Sequence, residues 1–338
     1  MTEHKHLKRR VRDRMARTGE SYTTALRHVA GRSRHHHESA LLRHVLGDDH
    51  SEAMLLGLGG GIGFMYFVFE YKGHPPMLTI VAQAHPEPMI PLALSRARVP
   101  HEVRRTGSAR VAERHLRAAL DAGRRPICQV ARNLLPWRDA MPFPDPVDVA
   151  VTGLSGDTVR VRDDAPVELP LKDFMAAWSA IPKSRHKLVE VTGPATGTPD
   201  VAGAIEDTAA KLTGPVLGNA FDVNFGLSGM RKLAAQLADT TGKQGWTRRF
   251  ADLGPALDRL SECLEVEYTA PGATRPLYAA FLAETGHAEA AAVYREAGAR
   301  WSRVAEAASA RLSPAELAGL VAEVVRLEEQ GAGLLLGR

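Results

Sequence analysis

Four polar residues, His36-His37-Glu38-Ser39, stand just ahead of Ala40-Leu41-Leu42, where the pattern turns helical. The free N–H groups and dipole at a helix start favour negative charge, so such a place suits a nucleophile or a bound anion. About one helix length later comes a glycine-rich turn, Gly57-Leu58-Gly59-Gly60-Gly61-Ile62-Gly63. This turn has no Gly-Lys-Ser/Thr ending, which a phosphate loop would require, so no nucleotide cofactor is expected. Its glycines read first as allowing close backbone approach, and second as shaping a substrate channel. The run His35-His36-His37, with His44 further on, invites a metal reading. No cysteine or carboxylate completes a familiar ligand spacing there, so no metal is expected.

The elements that must position these residues are bounded by bulk properties. The chain has 338 residues, 44% hydrophobic and 24% charged, which suits one large or two ordinary globular domains. The longest apolar stretch, within Met54 to Tyr71, is interrupted by five glycines and falls short of the ~20 residues of a membrane span. Two cysteines, Cys128 and Cys263, make no disulfide framework, so a cytoplasmic, reducing setting is expected. Residues 1–44 hold eleven Lys/Arg against four acids, an excess of seven, whereas the whole chain is only +4. The basic character therefore belongs to the N-terminal arm.

Within that arm, residues 3–17 and 22–29 read as two helices. Over this short stretch the chain resembles small bacterial DNA-binding antitoxin-type modules. DNA contact through residues 1–33 is one reading, and a docking or solubilising arm is the plainer one. From residue 34 the pattern is α+β: helices at 37–46 and from Ser51, strands at 64–69 and 77–81, a helix at 87–97 and a short strand at 102–105. A helix at 109–122, strands at 126–131, 147–153 and 158–163, a helix at 171–180 and a strand at 187–191 follow. Asp163-Asp164 read as closing a hairpin. The stretch 193–200, rich in Gly, Pro and Thr, reads as a linker. Helical periodicity then fills 201–213, 226–238, 246–264, 274–285, 288–308 and 313–331. Three segments are expected: a basic extension 1–33, an α+β domain 34–192 and an all-α domain 193–338.

These residues carry a family resemblance. His36-His37-Glu38-Ser39-Ala40-Leu41, with Ser51 through Phe64 and its glycine turn, resembles the N-terminal domain of butirosin biosynthesis protein H. Gly123-Arg124-Arg125-Pro126-Ile127, Leu135-Pro136-Trp137 and the strand Val149–Gly153 extend the likeness. The helical part, at Gly218-Asn219, Asn224 through Ala234 and Arg275 through Leu282, resembles the domain of unknown function that usually follows. The resemblance implies a papain-like, cysteine-peptidase-like fold followed by an all-α domain. It also implies an acyl- or aminoacyl-transferase of specialised metabolism, moving an acyl group from an acyl carrier protein to a small amine through a cysteine thioester.

At two points the chain departs from that pattern. The family's motif has cysteine where His37 stands, and its histidine falls near Val147 or Asp148. Three readings follow. The fold is kept as an inactive binding protein. Or His37 is a base oriented by Asp148 or Asp163, without a covalent intermediate. Or another nucleophile serves, with Ser39 the nearest, while Cys128 and Cys263 read as core. His36 holds its family place and joins the catalytic candidates. Glu38, Gly59, Gly60, Gly61, Asn224 and Arg231 are the candidate substrate-binding residues. Enzyme activity is left open, as is the oligomeric state, a homodimer included.

Overall fold

A computed structural model describes residues 35–47, 49–138 and 145–337. The helices expected at 3–17 and 22–29 lie outside the described residues. The chain runs through α1 (His37–Leu46), α2 (Glu52–Leu58), β1 (Ile62–Phe69), β2 (Met77–Gln83), α3 (Met89–Arg96), β3 (His101–Arg104), α4 (Ala109–Asp121) and β4 (Ile127–Ala131). It continues through β5 (Pro146–Ser155), β6 (Thr158–Arg162), β7 (Pro166–Pro170), α5 (Leu171–Ser179) and β8 (Leu188–Val191). The last part is helical: α6 (Val201–Thr213), α7 (Gly226–Ala238), α8 (Trp246–Arg249), α9 (Leu253–Glu265), α10 (Arg275–Glu284), α11 (Ala288–Ser309) and α12 (Pro314–Leu335). The α+β class is as expected.

Two compact units share this chain, and both are discontinuous in sequence. Among the described residues, one gathers 35–36, 60–86 and 205–337; the other gathers 37–47, 49–59, 87–138 and 145–204. These units cut the chain differently from the segments 34–192 and 193–338. The hairpin β1–β2 belongs with the helices, because its inner face is what those helices bury. A composition shift marks where the sequence changes character, not which segments pack together.

In the sheet unit, six strands in the order β3-β8-β4-β5-β6-β7 pair antiparallel throughout. Alternation puts Cys128, Val130, Val149, Val151, Val159, Val161 and Leu169 on one face, which α4 and α5 cover with Leu116, Phe174 and Trp178. Ser108 caps α4 by accepting from the Val111 N–H, and Gly123 (φ +73°) turns the chain just after it. Strand β7 was not foreseen. Proline at both its ends reads as a breaker, yet at the end of the strand order it needs a partner on one side only.

In the helical unit, the β1–β2 hairpin packs against α7 and α9, and α10, α11 and α12 follow one another in contact. The stretch 246–264, expected as one helix, is two. Helix α8 ends at Arg249, and Asp252 starts α9 by accepting from the Gly254 N–H. An Asp in that position offers the backbone a cap in place of another helical turn.

Arg275, fully buried on α10, ties the helical unit together. Its Nε donates to Glu328 Oε1 of α12 at 2.6 Å. Its other nitrogens donate to the carbonyls of Gly63 and Ala82, one on each side of the hairpin, at 3.0 and 2.9 Å. Trp301 Nε1 donates to the same Glu328 oxygen at 2.8 Å. Removing one partner of a buried pair leaves a charge unanswered. Arg275→Met is therefore expected to lower unfolding free energy by about 3–5 kcal/mol in urea denaturation. The double variant Arg275→Met/Glu328→Gln, which removes the orphaned carboxylate as well, should lose less than the single one. Equal losses would show that the bonds to the hairpin carbonyls, and not the charge pair, carry the stability.

Candidate functional site

His37 is the first residue of α1, and β5 and the end of β6 meet it within the sheet unit. Its Nε2 lies 2.8 Å from the carbonyl oxygen of Asp148. Its Nδ1 lies 3.4 Å from Asp164 Oδ1 and 3.5 Å from Asp163 Oδ1. Both ring nitrogens face oxygen acceptors, so both carry protons and the ring is an imidazolium.

Strand pairing explains why these residues meet. Ala150 pairs with Arg162, and the same register carried on by two residues sets Asp164 opposite Asp148. The Asp163-Asp164 pair does close the turn into β7, with the Asp163 N–H donating to the Ala165 carbonyl. Its carboxylates, however, point to the start of α1. Asp163 is almost fully buried and accepts from Trp137 Nε1 at 2.8 Å and Arg138 Nε at 2.7 Å; a second Arg138 nitrogen reaches its other oxygen. Arg138 also lies 3.2 Å from Asp164. The result is a network of two carboxylates, one guanidinium, one imidazolium and an indole N–H.

Burial is the largest influence on His37 and pulls its pKa down. The hydrogen bond to Asp164 and the charge of Asp163 outweigh it, against opposition from Arg138, and hold the pKa up at about 9. The reciprocal effect holds Asp164 down at about 2, with the His37 hydrogen bond as the largest cause. At neutral pH His37 is therefore charged, which removes it as a general base there.

The Nδ1 of His37 and one oxygen each of Asp163 and Asp164 lie within 4.8 Å of one another, a spacing a cation could use. Two features of the site oppose that use. Arg138 already bridges the two carboxylates, and metal ligation requires neutral imidazole.

The other residues singled out from the sequence are placed as follows. The Asp148 carboxylate does not reach His37. It is buried near Lys187, with Nζ 3.9 Å from Oδ1, an oxygen that has no hydrogen-bond partner. His36 is buried and pairs with Gln83 within the helical unit, not with His37. Ser39 is fully buried, and its hydroxyl donates to Glu52 of α2 at 3.5 Å, inside the α1–α2 packing. Glu38 is half-buried in the first turn of α1.

The three glycines are divided between the units. Gly59 ends α2 so close to Met89 that a Cβ would lie 2.6 Å from that side chain. Gly61 has φ +62° and lies against Tyr278, where a Cβ would come within 2.6 Å of the ring. The Gly60 carbonyl accepts from the Thr208 hydroxyl at 3.0 Å. Asn224, buried in the helical unit, donates to the Phe221 carbonyl and accepts from Lys232. Arg231 lies on the surface, paired with Glu329. Cys128 and Cys263 are buried and free, and burial pushes both thiols up in pKa.

Sequence reading had no role for Asp164, Arg138 or Trp137 in this network. One signal was present: two adjacent acids at the end of an alternating strand whose hairpin partner carries Asp148. It needed the β5–β6 register to become specific.

Between pH 6.5 and about 9 the folded chain binds the His37 proton that the unfolded chain has released. The stability contributed by the pair is thus complete below pH 6.5 and is lost as pH rises through about 9. The Cε1 proton resonance of His37 should titrate with a midpoint near 9, and in Asp164→Ala the midpoint should fall toward 6.5. A wild-type midpoint at or below 6.5 would mean that burial prevails over the carboxylates.

No curated protein matches the chain. Two family models do. Residues 36–164 match butirosin biosynthesis protein H, N-terminal, a match that contains the whole network, with His37 near its start and Asp163-Asp164 at its end. Residues 171–335 match a domain of unknown function, DUF4872. With these two domains in succession, the chain belongs to the butirosin biosynthesis protein H family.

Proposed function

We propose that this chain is a non-catalytic member of its family, a binding protein of specialised metabolism built on a papain-like fold. The observation that carries the proposal is the state of residue 37. A covalent acyl transfer needs a nucleophile at the helix start. Here that place holds an imidazolium whose two N–H groups point at fixed acceptors, the Asp148 carbonyl and the Asp163-Asp164 pair. No lone pair is left to attack a thioester or to take a proton from an amine.

The papain-like assignment draws support from the packing of one helix start against an antiparallel sheet. The acids on the second strand of a hairpin stand where a group orienting a catalytic base would be. His37-based transfer without a covalent intermediate is the competing reading. It would require deprotonation near neutral pH, against the pull of two carboxylates. An acyl-carrier-bound chain and a small amine are the ligands the family reading suggests for the retained site.

Incubation with a small acyl thioester separates these readings. The wild-type chain should show no covalent adduct by intact mass and no turnover that depends on His37. In His37→Cys a thiol would stand at a helix start, where its thiolate is favoured, and an acyl adduct is expected on that residue. Wild-type transfer to an amine that disappears in His37→Ala would overturn the proposal.

A further inference from the structure

At the other end of the β5–β6 hairpin the sheet unit holds a second, separate feature. It is a cavity of about 400 Å³ lined by Arg117, Arg124, Arg125 and Arg160, with Asp121, Gly153 and Thr152 among the remaining wall. Gly153 is five residues beyond Asp148 along β5, roughly 16 Å at the rise of a strand, so this cavity is distinct from the His37 network.

The four guanidinium groups are held in different ways. Arg117 is tied to Glu113 one turn back on α4. Arg124 is fixed by Glu190, a carboxylate almost completely buried on β8. Arg125 donates to the carbonyl of His44 near the end of α1, a neutral acceptor that leaves its charge unanswered. The Arg160 guanidinium has no hydrogen-bond or ion-pair partner among the described residues. Its position depends on Gly153, since a Cβ there would lie 2.6 Å from Arg160 Nη2. The β5 register slips between Val151 and Gly153, and this brings Gly153 opposite Arg160.

Cations near the end of α4 suit the dipole of that helix, which accounts for Arg117, Arg124 and Arg125 as local electrostatics. It does not account for Arg160, which comes from β6 and lies flat over a glycine with its fork unused. Planar guanidinium forks match phosphate oxygens in pairs, and a volume of this size suits a small molecule. The wall holds only Leu120 and Leu154 as larger apolar side chains, so the ligand is polar. Two cations without carboxylates ask for more than one negative charge, which a phosphate group supplies and a single carboxylate does not.

We propose that this arginine cavity binds a small phosphorylated molecule, a diphosphate or phosphate ester, with Arg160 and Arg125 as its principal contacts. A half-open pocket of this volume, rather than a basic stripe, favours a free small molecule over a nucleic-acid backbone.

Isothermal titration of the full chain with inorganic pyrophosphate, at about 150 mM ionic strength so that loose surface attraction is screened, tests the proposal. Saturable binding is expected, about tenfold or more weaker in Arg160→Ala and in Arg125→Ala, as for the loss of a charge-assisted contact. Gly153→Ala should weaken binding as well, because its methyl displaces the Arg160 fork, while Arg160→Lys should retain part of it. Circular dichroism of each variant establishes that these surface changes leave the fold intact. Absence of saturable pyrophosphate binding would overturn the proposal, as would binding that Arg160→Ala and Arg125→Ala leave unchanged. Duplex DNA that competes for the same arginines more tightly than pyrophosphate would overturn the small-molecule assignment.

Discussion

The sheet unit depends on the Asp163 carboxylate being answered. Its side chain is 1% exposed, and a buried carboxylate without partners would be strongly disfavoured. Trp137 and Arg138 satisfy it, which fixes the segment after β4, and the surplus negative charge of Asp163 and Asp164 then holds His37. One acid at the end of one strand therefore joins the segment after β4, the β6–β7 turn and the first residue of α1. The positive residue it holds stands at a helix start, where the dipole opposes a cation. A thiolate there would be stabilised by the helix alone. An imidazolium there requires carboxylates, and this chain has two. The electrostatics of the place are thus the reverse of what a helix start favours: a position suited to an anion holds a cation within an ion network.

The helical unit solves a different problem by related means. A two-stranded hairpin is marginal alone and must be covered. Helices α7 and α9 cover it, and Arg275 donates to the carbonyls of Gly63 and Ala82, where the β1–β2 register is irregular. The glycine turn belongs to this economy of close approach. Gly61 sits against the Tyr278 ring and Gly60 against the Thr208 hydroxyl. The motif that looked most like a ligand loop is therefore accounted for by backbone packing.

Strand alternation and helix spacing made most elements legible, because each buries one face and that face has a period. Val147, Val149 and Val151 announce β5; Val111, Leu116 and Leu120 announce α4. Capping residues were legible in part: Ser51 marks a start, whereas Asp252 was hidden inside an apolar pattern that ran on through it. The division into units was not legible, since a hairpin with mixed burial carries no mark of which helices will cover it. Of the candidate site, His37 was legible from its place at a helix start. Of its partners, Asp148 and Asp163 were named as acids that could orient it, but Asp164 and Arg138 were not, because Asp163-Asp164 look like any turn until the β5–β6 register sets them beside Asp148. Arg275 was hidden for a like reason: a buried arginine reads as a surface one until its acceptors are known.

Helix α1 connects the two features of the sheet unit. Its first residue is held by Asp148 and the acid pair, and near its last turn the His44 carbonyl holds Arg125. At that end a cation agrees with the helix dipole, so Arg125 is anchored without a carboxylate and keeps its charge for another partner. At the first end, by contrast, the two carboxylates Asp163 and Asp164 already face two cations, His37 and Arg138. Electrostatic attraction for an external anion therefore resides at the end of α1 remote from residue 37. A ligand held through Arg125 and Arg160 would therefore be bound independently of residue 37, so the two ends of α1 can be varied separately.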